Sequence, residues 1–427
     1  MGVENGTRVP VSSPSASSDR VVYAVVASTF FVGFGGGVVF PILPNLGEVL
    51  GISAFMVGVI LSANRWTRLV VNGPAGILVD WIGTRKPFVI GLAIEGLATV
   101  GYVIAIRSAV PEGWFVLARV TWGIGSALVF ATAYTITADV SDASSRGTSM
   151  GIVRAGITFG FPAGMVLGGL VSEAYSNATA FVLAAAFAAL ASVIAFFIVP
   201  ETHVGAAGSS VSLLDLERTL PALTVGLVNF GLYFAYIGVL FSTLVLYLEA
   251  ESVTLSLEVA GYGIDYGEQG TSGLLMAVSA LSGAVFTIAG GKLSDAVGAR
   301  VPVLIGFLAI SCAGFAVLTV APSFGAVVLA CALIGAGQGG VGGPLTALLA
   351  DLTPEDRMGR AMGTNNIFGD VGGGLGPLVS LPVANVVGYD VLYALSALIP
   401  LLAGAILVAG IYSYTGHLSP TVDESIV

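Results

Sequence analysis

Twelve times over, this chain runs for about twenty residues with almost no charge, and few folds accommodate that pattern. A helix rises 1.5 Å per residue, so a run of that length crosses the roughly 30 Å hydrocarbon core of a bilayer. The runs fall near residues 21–44, 53–79, 87–107, 113–138, 151–174 and 178–199, then near 221–248, 270–293, 302–321, 324–350, 361–388 and 390–413. Composition points the same way. Only 9% of the 427 residues are charged and 56% are hydrophobic, whereas a soluble domain carries about 25% charged residues to cover its surface. The sequence predicts an all-α membrane protein with twelve transmembrane helices, and its 59 glycines suit helices packed backbone to backbone in lipid.

The polar segments divide the chain. Residues 1–20, rich in Ser, Pro and Gly, read as a disordered cytoplasmic tail with no signal peptide. Residues 21–200 form the first six-helix unit, 201–220 a cytoplasmic linker, 221–413 the second unit and 414–427 a second cytoplasmic tail. Orientation follows from the basic residues of the short loops. One side holds Arg8, Arg20, Arg85, Lys86, Arg146, Arg218, Lys292, Arg300, Arg357 and Arg360, while the other holds only Arg107. Both termini are therefore expected in the cytoplasm, with the protein in the plasma membrane.

Several function classes are disfavoured. The net charge of −10 gathers in loops, for example at Glu249, Glu251, Glu258, Asp265 and Glu268, which is the wrong sign for a nucleic-acid partner. Cys312 and Cys331 lie in apolar stretches without CxxC spacing, and His203 and His417 lie in polar connecting segments. No metal site, cofactor or His-based catalytic centre is expected, so the chain does not read as an enzyme. Nothing matches an ATP-binding phosphate loop, and Gly335-Ala-Gly337-Gln-Gly339-Gly340 lacks the strand–helix context of a dinucleotide motif. It reads as packing in span 10, with Gln338 a candidate cavity residue.

An internal repeat carries more information. Span 2 ends Gly76-Ile-Leu-Val-Asp80-Trp-Ile-Gly83-Thr-Arg85-Lys86-Pro87, and span 8 ends Gly291-Lys-Leu-Ser-Asp295-Ala-Val-Gly298-Ala-Arg300-Val-Pro302, an offset of 215. Ala138-Asp139 and Met150-Gly151 recur as Ala350-Asp351 and Met362-Gly363, an offset of 212. Both copies end on the same side, so the repeat is parallel, about an axis along the membrane normal. Here the sequence closely resembles the major facilitator superfamily, over essentially the whole chain after the tail. The loop after span 2 resembles that family's motif A, Phe115–Ala127 with Arg119 its motif B, and Pro200-Glu201-Thr202 the close of its sixth span. Trp81 and Thr84 depart from motif A, and Gly160-Phe-Pro162-Ala-Gly164 is a loose form of the antiporter motif C.

The resemblance implies two parallel-repeat six-helix bundles around a central cavity, alternating access, and the drug/proton antiporter-like branch. Expected partners are a small-molecule substrate, protons and the lipid bilayer, and the protein is expected to be a monomer. Export of amphipathic compounds is the first reading, uptake of a sugar, amino acid or organic anion the second, and a non-transporting receptor on the same fold a third. The resemblance makes Gly76, Asp80, Gly83, Arg85 and Lys86, with Gly291, Asp295, Gly298 and Arg300, a cytoplasmic latch; the plain alternative is a basic anchor that fixes topology. Charges inside spans are the other candidates, since each costs about 2.5–3.5 kcal/mol unless paired or wetted. Asp370 or Glu95 is the candidate proton carrier, with Arg65 or Arg68 as neutralising partner. Arg119 tunes a nearby acid or binds an anionic or protonatable group, and the motif B resemblance implies a role in proton coupling; the plain alternative is a bond to backbone carbonyls. Trp122 and Tyr236 are candidate cavity-lining aromatics.

Overall fold

The computed structural model describes residues 16–142, 145–202, 216–259, 262–320 and 322–417. Most of both predicted tails and the middle of the predicted linker, with His203 and Asp215, lie outside the described residues. Twelve helices are long and apolar enough to cross a membrane, and they coincide with the twelve predicted spans. We number them α1 (Ala16–Val49), α2 (Ala54–Ile82), α3 (Arg85–Ile106), α4 (Pro111–Val140), α5 (Arg146–Ala174) and α6 (Asn177–Ile198) in the first half. The second half holds α7 (Leu220–Ala250), α8 (Glu268–Val297), α9 (Arg300–Leu318), α10 (Phe324–Asp351), α11 (Met358–Val387) and α12 (Tyr389–Thr415). Two features were not anticipated. A short antiparallel hairpin, β1 (Leu255–Val259) and β2 (Tyr262–Tyr266), joins α7 to α8. Within α7, residues Phe234–Leu240 wind as a π-helix. We call the end with this hairpin the hairpin end, and the end where α1 starts and α12 stops the terminal end.

The halves repeat in contact as well as in sequence. α1 packs on α5 as α7 packs on α11, α2 on α4 as α8 on α10, and α3 on α6 as α9 on α12. Glycine makes the first of these seams possible. A Cβ on Gly160 or Gly164 of α5 would stand 2.1 Å from the carbonyl oxygen of Phe30 or Phe34 on α1. Gly372 and Gly376 of α11 meet Phe230 and Gly238 of α7 in the same way, with hypothetical Cβ contacts of 2.3 and 2.2 Å. These two pairs are again 212 residues apart. Van der Waals packing is the main force between helices in lipid, and backbone-to-backbone approach maximises it. The glycine run of α10 packs too: Gly335 and Gly339 lie against Ser279 and Gly283 of α8, and Gly340 against Phe307 of α9.

Between the halves, α5 meets α8 and α2 meets α11, and the close approaches are toward the hairpin end. Gly169 and Gly273 lie against Gln269 and Met165, and Gly58 lies against Pro377. A hydrogen-bonded network closes that end. Gln269 donates to Asn45 at 3.0 Å and accepts from Ser172 at 2.8 Å, and Asn45 donates to Glu249 at 2.9 Å. Glu173 of α5 accepts from the backbone N–H of Gly267 and, at 2.8 Å, from that of Gly270, so a carboxylate of one half caps a helix of the other. Below this network Phe40, Phe161, Phe241 and Tyr236 make a four-ring contact, with centroids 4.6 to 6.2 Å apart. The terminal end is open by comparison. A Cβ on Gly76, Gly291, Gly359 or Gly363 would meet nothing within 4 Å. In this conformation the side of Gly76 and Gly291 where a side chain would stand is empty, although a Cβ on Gly343 of α10 would lie 3.7 Å from the Gly291 Cα.

Candidate functional site

Two arginines on α2 and one aspartate on α11 meet across the halves. Arg65 and Arg68 are three residues apart, so one face of α2 carries both. Arg65 Nη1 donates to Asp370 Oδ1 at 3.1 Å, and Arg68 Nη2 donates to the same oxygen. The side chains are 16%, 22% and 16% exposed, for Arg65, Arg68 and Asp370 respectively, so the group is neither sealed nor freely solvated. Neighbouring glycines let it form: Gly373 lies under the Arg65 guanidinium, and Gly374 under the Trp66 indole. Arg68 also stands over the Phe130 ring, 5.7 Å from its centroid. Three charges that each cost several kcal/mol in lipid thus compensate one another at the boundary between bundles.

This triad lines a cavity of about 370 Å³ on the terminal-end side of the four-ring contact. Asn72, Phe130, Asn229, Tyr233, Asn366 and Gly369 complete the lining. The walls come from α2 and α4 of one half and from α7 and α11 of the other. Asn229 is braced by its Nδ2, which donates to the Asn365 carbonyl at 2.9 Å. The size suits a small molecule, and a concave site with a few convergent polar groups is the usual form of a ligand pocket.

The other sequence candidates fall elsewhere. Glu95 is 1% exposed in the interior of the first half, and its Oε1 has no hydrogen-bond partner among the described residues. Arg119 is 2% exposed. Its Nε donates to the Ile60 carbonyl at 3.1 Å, and its Nη2 to the Leu61 carbonyl at 3.0 Å and to Asn64 Oδ1 at 2.6 Å. In this conformation it ties α4 to α2 through backbone carbonyls. Trp122 packs against Gly35 and Gly36 of α1 with Arg119 over its ring, and Gln338 lies within the α10 glycine run. Neither lines the cavity, and Tyr236 belongs to the four-ring contact above it. Of the named coupling residues, Arg68 and Asp370 come together with Arg65, while Glu95 and Arg119 do not join them. The three asparagines were not foreseen: an uncharged amide in an apolar span is a weak signal, and the one amide singled out, Gln338, lies elsewhere.

The repeated motif has two different fates. Gly83 and Gly298 end α2 and α8 with φ of +84° and +70°, and each N–H returns to the carbonyl four residues back, at Val79 and Ser294. That conformation explains a glycine at this point of the motif. In the second half Arg300 is bound within its own bundle, to Asp295, to Asp351 at 3.1 Å and to Ser294 at 3.1 Å. In the first half Arg85 turns away, donating to the Phe196 carbonyl at 2.6 Å and lying over the Phe196 ring. Glu201 caps α3, accepting from the Thr84 N–H at 2.6 Å and the Thr84 hydroxyl at 3.1 Å. The Asp80 carboxylate is half-buried and has no hydrogen bond or ion pair among the described residues. Lys86 is exposed.

The family model described as "Major Facilitator Superfamily" matches residues 25–377 and 239–424. The chain belongs to the Major Facilitator Superfamily. Members of this superfamily are multi-pass membrane transporters of small molecules, and the fold and family are those of transporters and not of enzymes. An uncharacterized superfamily transporter of Methanocaldococcus jannaschii is 24% identical over 388 residues, 91% of this chain and 97% of that protein. The multi-drug resistance efflux pump PmrA of Streptococcus pneumoniae is 24% identical over 86% of this chain and 90% of its own length. Multidrug resistance protein 2 of Bacillus subtilis is 26% identical over 189 residues, 44% of this chain and 46% of that relative, so that match spans about half of it. Among solved structures the superfamily fold recurs in a bacterial homolog of the human lysosomal transporter Spinster, with TM-score 0.73 and 16% identity over 94% of this chain and 97% of that one. It recurs again in the nucleoside transporter NupG, with TM-score 0.74 and 16% identity over 92% and 99%.

Proposed function

We propose that this superfamily member is a proton-coupled secondary transporter working by alternating access, with Asp370 as the group that takes up the proton. The observation that carries the reading is the Arg65–Asp370–Arg68 triad, which joins the two halves at the wall of an open cavity. Exposing the site to the other side requires α2 and α11 to move past each other. Breaking a buried ion pair without neutralising it costs about 3–5 kcal/mol, reduced here because the cavity admits water. A proton on Asp370 removes the charge that holds both arginines and releases the halves. The terminal end is then the cytoplasmic end, consistent with its basic loops, and the protein is a plasma-membrane monomer. Asp80, unpaired in this inward-open state, is the group available to latch that end when the halves close over it.

Relatives named for multidrug resistance and efflux support movement outward, with small amphipathic compounds as cargo. The charge of the cavity favours a second reading, movement of an organic anion together with a proton. The two differ in sign: protons and cargo compete in the first and bind together in the second. Flux in proteoliposomes under an imposed pH gradient tests the shared core. Asp370→Asn is expected to lose gradient-driven flux at least tenfold while keeping energy-independent exchange. Undiminished gradient-driven flux in that variant refutes the assignment of Asp370.

A further inference from the structure

The cavity is over-supplied with donors of one charge. Its lining holds two guanidiniums and one carboxylate, a formal charge of +1. Each guanidinium has five N–H donors, and each spends one on Asp370, both on the same oxygen. Asp370 Oδ2 carries no hydrogen bond among the described residues, and neither do the remaining guanidinium N–H groups that face the space. Asn72 and Asn366 add amide donors, while Phe130 and Tyr233 supply ring faces. A lipophilic cation entering here meets two like charges with only one carboxylate between them. An anion meets a fork that matches carboxylate and phosphate oxygens.

We propose that this cavity takes a small organic anion, carrying a carboxylate or a phosphate monoester, whose oxygens replace Asp370 on Arg68 and Arg65. The inference rests on the reading of the cavity as the transport site. Asp370 contacts Arg65 and Arg68 of α2, and the rest of the lining, Asn72 of α2, Phe130 of α4, Asn229 and Tyr233 of α7 and Asn366 of α11, supplies no carboxylate. Displaced from both arginines, the Asp370 carboxylate loses its counter-ions beside a new anion, so anion and proton enter as a pair. Hydrogen bonds are exchanged at the arginines, and one O–H bond forms on Asp370 with a proton given up by hydronium in the cavity, which is left as water. Linkage requires that each ligand tighten the other by the same factor. This corresponds to the second reading above, cotransport of anion and proton, and opposes the first.

The test uses the purified full chain in detergent and four probes: benzoate, phenyl phosphate and neutral benzamide, each built on one phenyl ring, and the larger lipophilic cation tetraphenylphosphonium. Thermal melting at two pH values is expected to rise with benzoate or phenyl phosphate, more at the lower pH, and to stay flat with benzamide. The carboxylate and phosphate arms tell the two anion types apart. Arg68→Gln is expected to weaken the responding anion tenfold or more, while Asp370→Asn binds it at least as tightly and without the pH dependence. Stabilisation by tetraphenylphosphonium with none from either anion overturns the proposal, as does an anion response that Arg68→Gln leaves unchanged. If either variant fails to fold, the comparison of benzoate with benzamide on the unsubstituted protein still decides. Transport is scored separately: an anion that binds but never crosses a proteoliposome membrane refutes the transport reading and leaves the anion site standing. Gradient-driven flux of the cation alone does the reverse.

Discussion

Replacing Gly164 with alanine puts one methyl group into a seam with no room for it, and replacing Gly76 puts the same group into open space. At Gly164 the new Cβ would lie 2.1 Å from the Phe34 carbonyl oxygen, 2.8 Å from the carbonyl carbon and 2.9 Å from Cα. All three atoms are backbone, so no side chain can swing aside. A C–H···O contact sits at about 3.3–3.6 Å, so α1 and α5 must separate by roughly 1 Å over at least a turn. Overpacking of this kind costs about 1–3 kcal/mol. It is offset by up to about 1 kcal/mol of helix propensity, leaving a net loss on the order of 1–2 kcal/mol. At Gly76 no atom lies within 4 Å, so only the propensity gain applies and the variant is expected to melt at or slightly above the unsubstituted protein. Melting of both variants in detergent, followed by tryptophan fluorescence, reads the difference. If Gly164→Ala melts no lower than Gly76→Ala, the seam does not hold the first bundle together. Transport adds a second axis. Gly76→Ala is expected to be stable yet slow, because closing the terminal end brings a neighbour toward that face. Full turnover in a stable Gly76→Ala protein would show that no such approach occurs.

Other expectations follow from single contacts. Asp80→Asn is expected to leave melting unchanged and reduce flux severalfold, whereas Asp295→Asn costs less than about 1 kcal/mol, since Arg300 keeps Asp351 and the Asp295 side chain is 71% exposed; equal effects on flux would refute the distinction. Glu173→Gln removes a charged acceptor worth about 1.5–3 kcal/mol from the hairpin-end closure, and faster hydrogen exchange of the Gly267 and Gly270 amides is the readout. Glu201→Gln weakens the cap on α3 by about 1 kcal/mol, seen as lower melting with no change in substrate preference.

The frame of this molecule was legible because it depends on quantities that add along a chain. Span length and charge density predict twelve helices whatever their arrangement, and the parallel repeat assigns them to halves. The abundance of glycine pointed to close helix packing, since a missing side chain has only a few uses inside lipid, and the glycines at 160, 164, 372 and 376 are among those where paired helices of each half meet backbone to backbone. Charges were readable as exceptions, but their cost says only that each must be compensated, not by whom. Arg119 and Glu95 have the same sequence-level signature as Arg68 and Asp370, yet they lie buried within the first half. Which pairs meet depends on how α2 crosses α11, and no local pattern encodes that crossing. Asn72, Asn229 and Asn366 each sit alone on a different helix, so their convergence exists only in three dimensions. The π-helical turn of α7 is likewise invisible locally; its Gly238 carbonyl accepts from Ser242 and from Ser380 of α11, and the latter bond requires the partner helix.

The two copies of the repeated motif share Gly, Asp, Gly, Arg and Pro and differ in their contacts. A symmetric machine would meet its membrane face with two matching hooks, and would have no preferred side from which to begin closing. Here one copy has its arginine occupied by two acids of its own bundle, as masonry, while the other leaves Asp80 at a half-open edge. On the proposed mechanism the pair serves as a fixed jamb and a moving bolt, and wear on each is expected to differ: changes in the jamb erode how long the protein lasts, and changes in the bolt erode how fast it turns.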